Sequence, residues 1–232
     1  MLKKIRFCSL LFGLSVPAVC FGQFVGPFSI GIGGGGTKLY GDLRNKPIDY
    51  AGHLEVDYLV SPFTSVGLQG QLGRLKGDDQ AGRDALNRYV GANANVKVRV
   101  GQFMPQAKNY SLYSLSNKNI WSYLSNLYAG VGIGFIYSDV EAYRGEHPDG
   151  GISETFAGED YSYTTVVPVN VGIDIPFGYS LTGPVWAVNV NFQLGISFGD
   201  NLDGYTNSYS NYQDRMMYFS VGVKRSLHPK VK

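Results

Sequence analysis

Between residues 28 and 224 the chain is written in segments of about ten residues in which apolar and polar side chains alternate, the period at which a β-strand shows its two faces. From Tyr89 to Val100, the residues Val90, Ala92, Ala94, Val96, Val98 and Val100 fall on one face and Tyr89, Gly91, Asn93, Asn95, Lys97 and Arg99 on the other. Trp186 to Gly199 repeats this, with Trp186, Val188, Val190, Phe192, Leu194, Ile196 and Phe198 set against Asn189, Asn191, Gln193, Gly195 and Ser197. One face is oily and the other wet, an arrangement that a helical period would scramble.

Six further segments follow the same rule. His53 to Val60 sets Leu54, Val56 and Tyr58 against His53, Glu55 and Asp57, and Ser65 to Gly73 sets Val66, Leu68 and Leu72 against Gln69 and Gln71. Leu127 to Ser138 carries Ala129, Val131, Ile133, Phe135 and Tyr137 opposite Gly130, Gly132, Gly134 and Ser138. Val167 to Ile175 carries Val169, Val171 and Ile173 opposite Asn170, Gly172 and Asp174, and the terminal members are Phe28 to Tyr40 and Met216 to Lys224. Soluble strands run about 5 or 6 residues, whereas strands that cross a bilayer at a tilt need about 9 to 11. After residue 23 no apolar run approaches the roughly 20 residues of a membrane helix, and lipid cannot satisfy an open sheet edge. The pattern therefore predicts an all-β fold, an eight-stranded antiparallel transmembrane β-barrel of OmpA or OmpX size. The 31 glycines and 17 tyrosines suit sheet and tight turns. A soluble lipocalin-like barrel, with its oily face turned inward around a ligand, is the architectural rival.

The N-terminus predicts export. Lys3, Lys4 and Arg6 precede an apolar run from Phe7 to Val19, followed by the small residues Cys20 and Gly22, the layout of a secretory signal peptide. Cleavage is placed before Gln23, giving a leader over 1–22 and a barrel domain over 23–232. Acylation of Cys20 is the competing reading, weakened by the bulk of Val19. Both cysteines, Cys8 and Cys20, lie in the leader, so the mature chain has no thiol for disulfides or metal. Loss of three leader cations reduces Lys and Arg from 20 to 17 against 18 Asp and Glu, a balance that argues against nucleic acid as a partner.

Charges on the wet faces are few and balanced in sign: Glu55, Asp57, Lys97, Arg99, Asp174 and Lys224. An eight-stranded barrel is only wide enough to be filled by side chains, so these six are predicted to form a polar network in the lumen, with no open channel. Membrane barrels keep short turns on the periplasmic side and long loops outside. With the N-terminus inside, the outer connections fall near 41–52, 77–88, 139–164 and 200–215, all expected to be long. The inner ones include a tight turn at Ser61-Pro62-Phe63 and a moderate link from Phe177 to Val185. The inner connection from Gln102 to Asn126 breaks the rule by its length. Within it Ile120, Tyr123, Leu124 and Leu127 share one helical face, which predicts a short periplasmic helix. That helix is read either as a cap on the barrel floor or as a docking element, with Ile120, Trp121, Tyr123 and Leu124 as its contact residues. On the outer side Tyr143, Phe156, Tyr161 and Tyr163, among loop carboxylates, are the candidate contacts.

Catalytic and metal motifs are missing. His53, His147 and His228 form no ligand pair, and no Ser-His-carboxylate signature is legible, so no catalytic residue, metal or cofactor is predicted. Asp200-Asn201-Leu202-Asp203-Gly204 lacks the further acidic positions of a calcium loop. Gly33 to Gly36 lacks the Lys-Ser/Thr ending and following helix of a phosphate loop, and is read as a place where a strand bends as the barrel closes.

Gly31-Ile32-Gly33-Gly34-Gly35-Gly36-Thr37-Lys38-Leu39-Tyr40-Gly41-Asp42-Leu43, Leu75-Lys76-Gly77-Asp78-Asp79 and Val221-Gly222-Val223-Lys224 resemble stretches of the small outer-membrane barrels related to the PorG subunit of type IX secretion systems. The resemblance covers the mature chain in layout and these three stretches in motif. The sequence departs from that family in having Arg83-Asp84-Ala85-Leu86-Asn87-Arg88 after Asp79, and in continuing past its last strand to Lys232. The resemblance implies the outer membrane of a Gram-negative bacterium, contact with outer-membrane lipid, and a non-catalytic role in an envelope or protein-secretion assembly, with periplasmic or outer-membrane secretion subunits as partners. The alternatives are a passive envelope protein or adhesin of the OmpA or OmpX type, binding through its outer loops, and a barrel enzyme that modifies lipid.

Overall fold

The computed structural model describes residues 28–40, 46–61, 63–78, 84–104, 120–143, 161–180, 183–198, 202 and 214–227. The leader and cleavage site expected over residues 1–22 lie outside these residues, as do Phe156, His147 and His228. The strands are β1 (Phe28–Tyr40), β2 (Asp49–Ser61), β3 (Thr64–Asp78), β4 (Asp84–Arg99), β5 (Leu127–Tyr143), β6 (Tyr161–Ser180), β7 (Gly183–Ser197) and β8 (Arg215–Leu227). Each pairs antiparallel with its sequence neighbours, and β8 pairs with β1 to close the sheet. The predicted eight-stranded antiparallel barrel is the fold observed.

Closure is staggered. Stepping across the ladders from Phe28 to Tyr58, Val66, Val96, Val131, Val169, Leu194 and Met217 leads back to β1 at Lys38, ten residues above the start. For eight strands about 4.8 Å apart, with a rise of about 3.3 Å per residue, that stagger tilts the strands by roughly 40°. The rival lipocalin-like orientation is excluded by burial: Ile32, Leu54, Leu68, Phe135 and Phe192 face outward and exposed, while Glu55, Lys97, Asn170 and Gln193 are buried inside. An oily wall around a polar interior is the inverse of a soluble protein and is the distribution of a barrel solvated by lipid.

The strands run further than the sequence segments indicated, and the connections shrink accordingly. β3 and β4 pair out to Asp78↔Asp84, which reduces the expected long loop at 77–88 to residues 79–83. Between β5 and β6 the connection is 144–160, and Tyr161 and Tyr163 belong to β6. The moderate link expected from Phe177 to Val185 is also ladder, with Phe177↔Trp186, Tyr179↔Pro184 and Ser180↔Gly183 paired. Gly178 makes this continuation feasible: it takes φ of 65°, open to glycine and strained for other residues, and lies against Trp186. Pro168 marks the cost of proline in a ladder. β5 and β6 keep register on both sides of it, from Val131↔Val169 to Gly134↔Val166, but the intervening pairs are missing where Pro168 has no N–H to donate.

The closing seam also explains the glycine run in β1. A Cβ on Gly35 would collide with the carbonyl oxygen of Phe219 in β8, so the two backbones approach only because the side chain is absent. Gly35→Val is expected to destabilise the barrel by about 1–3 kcal/mol through overpacking of backbone. Gly70→Val, where a Cβ meets nothing within 4 Å, is expected to be near neutral. Urea midpoints followed by heat-modifiable gel migration separate the two; equal midpoints would contradict this reading of the seam.

Candidate functional site

The six charged residues named from the sequence all lie inside the periplasmic half of the barrel, and the fold brings them together. Glu55 and Asp57 come from β2, Lys97 and Arg99 from β4, Asp174 from β6 and Lys224 from β8. Lys97 Nζ donates to Glu55 Oε2 at 2.7 Å and to both Asp57 oxygens at 3.2 Å. Lys224 Nζ reaches Glu55 Oε1 at 2.8 Å, Asp57 Oδ2 at 3.0 Å and Asp174 Oδ1 at 3.4 Å. Arg99 Nη2 donates to Asp174 Oδ2 at 2.9 Å, and Asn189 Nδ2 donates to Asp174 Oδ1 at 2.8 Å. Three cations thus face three carboxylates.

The charges all come from even-numbered strands, and glycines on the odd strands make room for them. A Cβ on Gly31 of β1 would lie 2.9 Å from Glu55 Cγ and 3.0 Å from Lys224 Cγ. One on Gly67 of β3 would strike Asp57, and one on Gly130 of β5 would lie 3.0 Å from Lys97 Cγ. Tyr128 of β5, which the sequence reading passed over, sits between the lysines, with Lys97 Nζ 5.7 Å and Lys224 Nζ 5.8 Å from its ring centroid. Its hydroxyl accepts from Asn189 Nδ2 at 2.9 Å and donates to Asn191 Oδ1 at 3.0 Å. Parity could have found it, since Tyr128 falls on the same face as Gly130 and Gly132.

Above this network is a layer of amides. Gln69, Gln71, Asn93, Asn95 and Gln193 bond to one another, including Gln71 to Gln193 across the barrel. His53 Nδ1 then hydrogen-bonds the Tyr218 hydroxyl at 2.8 Å. Nearest the outer mouth the interior turns apolar: Leu39, Leu75, Tyr89, Ile136, Val166 and Met216 pack with Leu202 of the β7–β8 connection. Leu202 is tied in place, its N–H donating to Asp214 Oδ2 at 2.8 Å and its carbonyl accepting from Asn87 Nδ2 at 2.6 Å. This plug was not foreseen. Strand parity points Leu39 and Met216 inward, and carried past Gly73 it points Leu75 inward too, but no local signal marks Leu202.

The floor is closed by the residues of the inner connection that follow its helix. After the 3-10 turn Val100–Phe103 comes helix α1 (Ile120–Leu124), so a short periplasmic helix is present, packed against β6. Leu127, assigned to its apolar face from the sequence, is instead the first residue of β5. Polar Ser125 and Asn126 fill the barrel end: the Ser125 carbonyl accepts from Gly101 N–H at 3.0 Å and the Asn126 carbonyl from Asp174 N–H at 3.4 Å. Phe63 packs beside them on Gly101. The helix leaves its apolar side chains outside, with Ile120 66% and Trp121 52% exposed, Leu124 also exposed and Tyr123 half-buried. Phe103, 79% exposed, adds to the same end of the barrel.

The outer aromatic candidates separate. Tyr161 and Tyr163 stand on the outward face of β6 and meet Tyr137 of β5, at centroid distances of 6.4 and 4.8 Å. They belong to the barrel wall, not to a loop. Tyr143 ends β5. At the opposite end of the wall Phe28 packs on Tyr58 at 4.9 Å and Arg225 lies 5.3 Å from the Trp186 ring. Two aromatic belts bounding an apolar band mark the interfaces of a bilayer. Among the described residues no cluster of His, Cys, Asp and Glu is arranged to hold a metal ion.

A closed barrel, charged within, oily without and belted by aromatics, is a small, filled transmembrane β-barrel of the outer-membrane type. In fold the chain is similar to the attachment invasion locus protein Ail of Yersinia pestis, at 12% identity and TM-score 0.47, over 87% of this chain and 99% of that one. It is similar to Neisserial surface protein A at 12% identity and TM-score 0.45, over 87% and 99%. The outer membrane protein OprG of Pseudomonas aeruginosa matches at 10% identity and TM-score 0.40, over 87% and 96%. No family model matches the chain, and no curated protein matches it in sequence.

Two outcomes follow from this interior. Lys224→Met leaves three carboxylates facing two cations and is expected to cost about 3–5 kcal/mol, the penalty for an uncompensated buried charge. Lys224→Met with Asp57→Asn should recover part of that loss in urea titrations of the refolded barrel. With plug, amide layer, ion network and floor in series, the purified protein should show no steady conductance in a planar bilayer; sustained open-channel current would overturn the filled-lumen reading.

Proposed function

We propose that this protein is a non-catalytic structural component of the outer membrane of a Gram-negative bacterium that holds an envelope or secretion-type assembly through its periplasmic end. The observation that carries the reading is the apolar group Phe103, Ile120, Trp121 and Leu124, left exposed at that end while the polar residues beside it close the barrel floor. An exposed apolar group on a rigid scaffold suits a protein contact. The interior supports a scaffold in preference to a pore or an enzyme: its charges are mutually paired, and His53 is engaged by Tyr218. The type IX relationship implied by the motif resemblance makes secretion subunits the partners to look for first.

Trp121 also allows the proposal to fail cleanly, because an indole at a barrel end can instead rest in the membrane interface. The chain has two tryptophans, so Trp186→Phe leaves Trp121 as the only indole. In vesicles of brominated lipid its fluorescence is expected to stay unquenched, and Ile120→Ser with Trp121→Ala is expected to abolish cross-linking to envelope proteins in cells without altering heat-modifiable migration. Strong quenching, or unchanged cross-linking in the double variant, would refute docking at this end.

A further inference from the structure

The lipid-facing wall of β1 to β4 contains a groove of about 380 Å³. Ile32, Leu54, Leu72 and Val90 border it around Gly52 and Gly70, and a Cβ on Gly70 would meet nothing within 4 Å, so the depression is open toward the membrane. On the outward face toward the outer mouth, the strands bordering the groove change character. Arg74 of β3 stands opposite Arg88 of β4, and Lys76 of β3 is opposite Leu86. Arg88 is compensated by Glu141 at 2.6 Å. Arg74 has only the ring of Tyr50, 5.1 Å from its guanidinium carbon, and neither Arg74 nor Lys76 has an ion-pair partner among the described residues. The next carboxylates along these two strands, Asp78 and Asp84, stand opposite each other two register rows beyond Lys76.

Like charges placed directly opposite each other in a ladder repel, and that cost falls when an anion sits between them. From Gly70 to Arg74 is four residues, about 13 Å along the strand, a span that joins the acyl region of a leaflet to its headgroups. Tyr50 lies at that boundary, where aromatic and long cationic side chains settle with their polar ends toward the headgroups. We propose that this face docks a phosphorylated, acylated anionic lipid of the outer leaflet, its phosphate on Arg74 and Lys76 and one acyl chain in the groove beneath. Free phosphate would leave the groove unused. A second copy of the chain, related by a two-fold axis, would bring the same uncompensated cations toward one another.

The test is native mass spectrometry of the full refolded barrel in detergent micelles, offered phosphatidylglycerol or phosphatidylcholine with identical acyl chains. Wild-type protein is expected to retain phosphatidylglycerol preferentially. Arg74→Gln with Lys76→Gln is expected to lower that retention roughly 30-fold, each cation near a lipid surface contributing about a factor of five. Gly70→Leu, which fills the groove and leaves both cations in place, is expected to lower it as well, with heat-modifiable migration confirming that each variant is folded. Equal retention of the two lipids, wild-type retention in either variant, displacement by equimolar inorganic phosphate, or a dimer in place of the lipid adduct would each overturn the proposal.

Discussion

A backbone that crosses hydrocarbon has no water to bond with, so every N–H and C=O in the crossing must be satisfied within the chain. This structure meets that demand through the β1–β8 seam, which pairs Phe28↔Leu227 through Tyr40↔Arg215 and leaves no free edge. Much else is subordinate to the seam. The glycines of β1 allow β8 to come close, and the ten-residue stagger sets the tilt and with it the bore. The single φ above zero among the described residues, at Gly178, lets β6 and β7 stay paired to their shared end.

A bore of eight strands has to be filled, and alternation makes the filling polar. Three cations and three carboxylates in a water-poor interior carry a large desolvation cost, tolerable because each makes at least one close contact of opposite sign. The supply is divided between strands: charge from β2, β4, β6 and β8, and space from glycines on the odd strands beside them. A network of this kind fixes the relative register of distant strands, which suits a rigid support better than a channel. The apolar plug around Leu202 closes the outer mouth by ordinary hydrophobic packing, so the two ends of one lumen are sealed by different physics.

Much of this was legible in the sequence because the side-chain period of a strand is two and each wall has only two sides. Glu55, Asp57, Lys97, Arg99, Asp174 and Lys224 could be assigned to the interior from parity alone. The strand ends were harder. Tyr161 and Tyr163 read as loop residues because polar neighbours hide the alternation, and Phe177 to Val185 read as a link because Pro and Gly usually end strands, yet both are ladder in the fold. The helix at Ile120 could be read from its spacing, but the spacing carried past its end at Leu124 to Leu127, since local pattern does not say where the next strand begins.

The sequence by itself determined the class of fold and the face on which each strand residue lies, because both follow from local alternation and because lipid cannot satisfy an open sheet edge. Only the tertiary structure decided which residues meet. The ten-residue stagger brings Lys224, near the end of the chain, onto Glu55 and Asp57; it also sets Arg74 above a groove shared by four strands and lets a loop leucine enter the mouth. Such contacts depend on register around a closed ring, a property of all eight strands at once that no single segment carries.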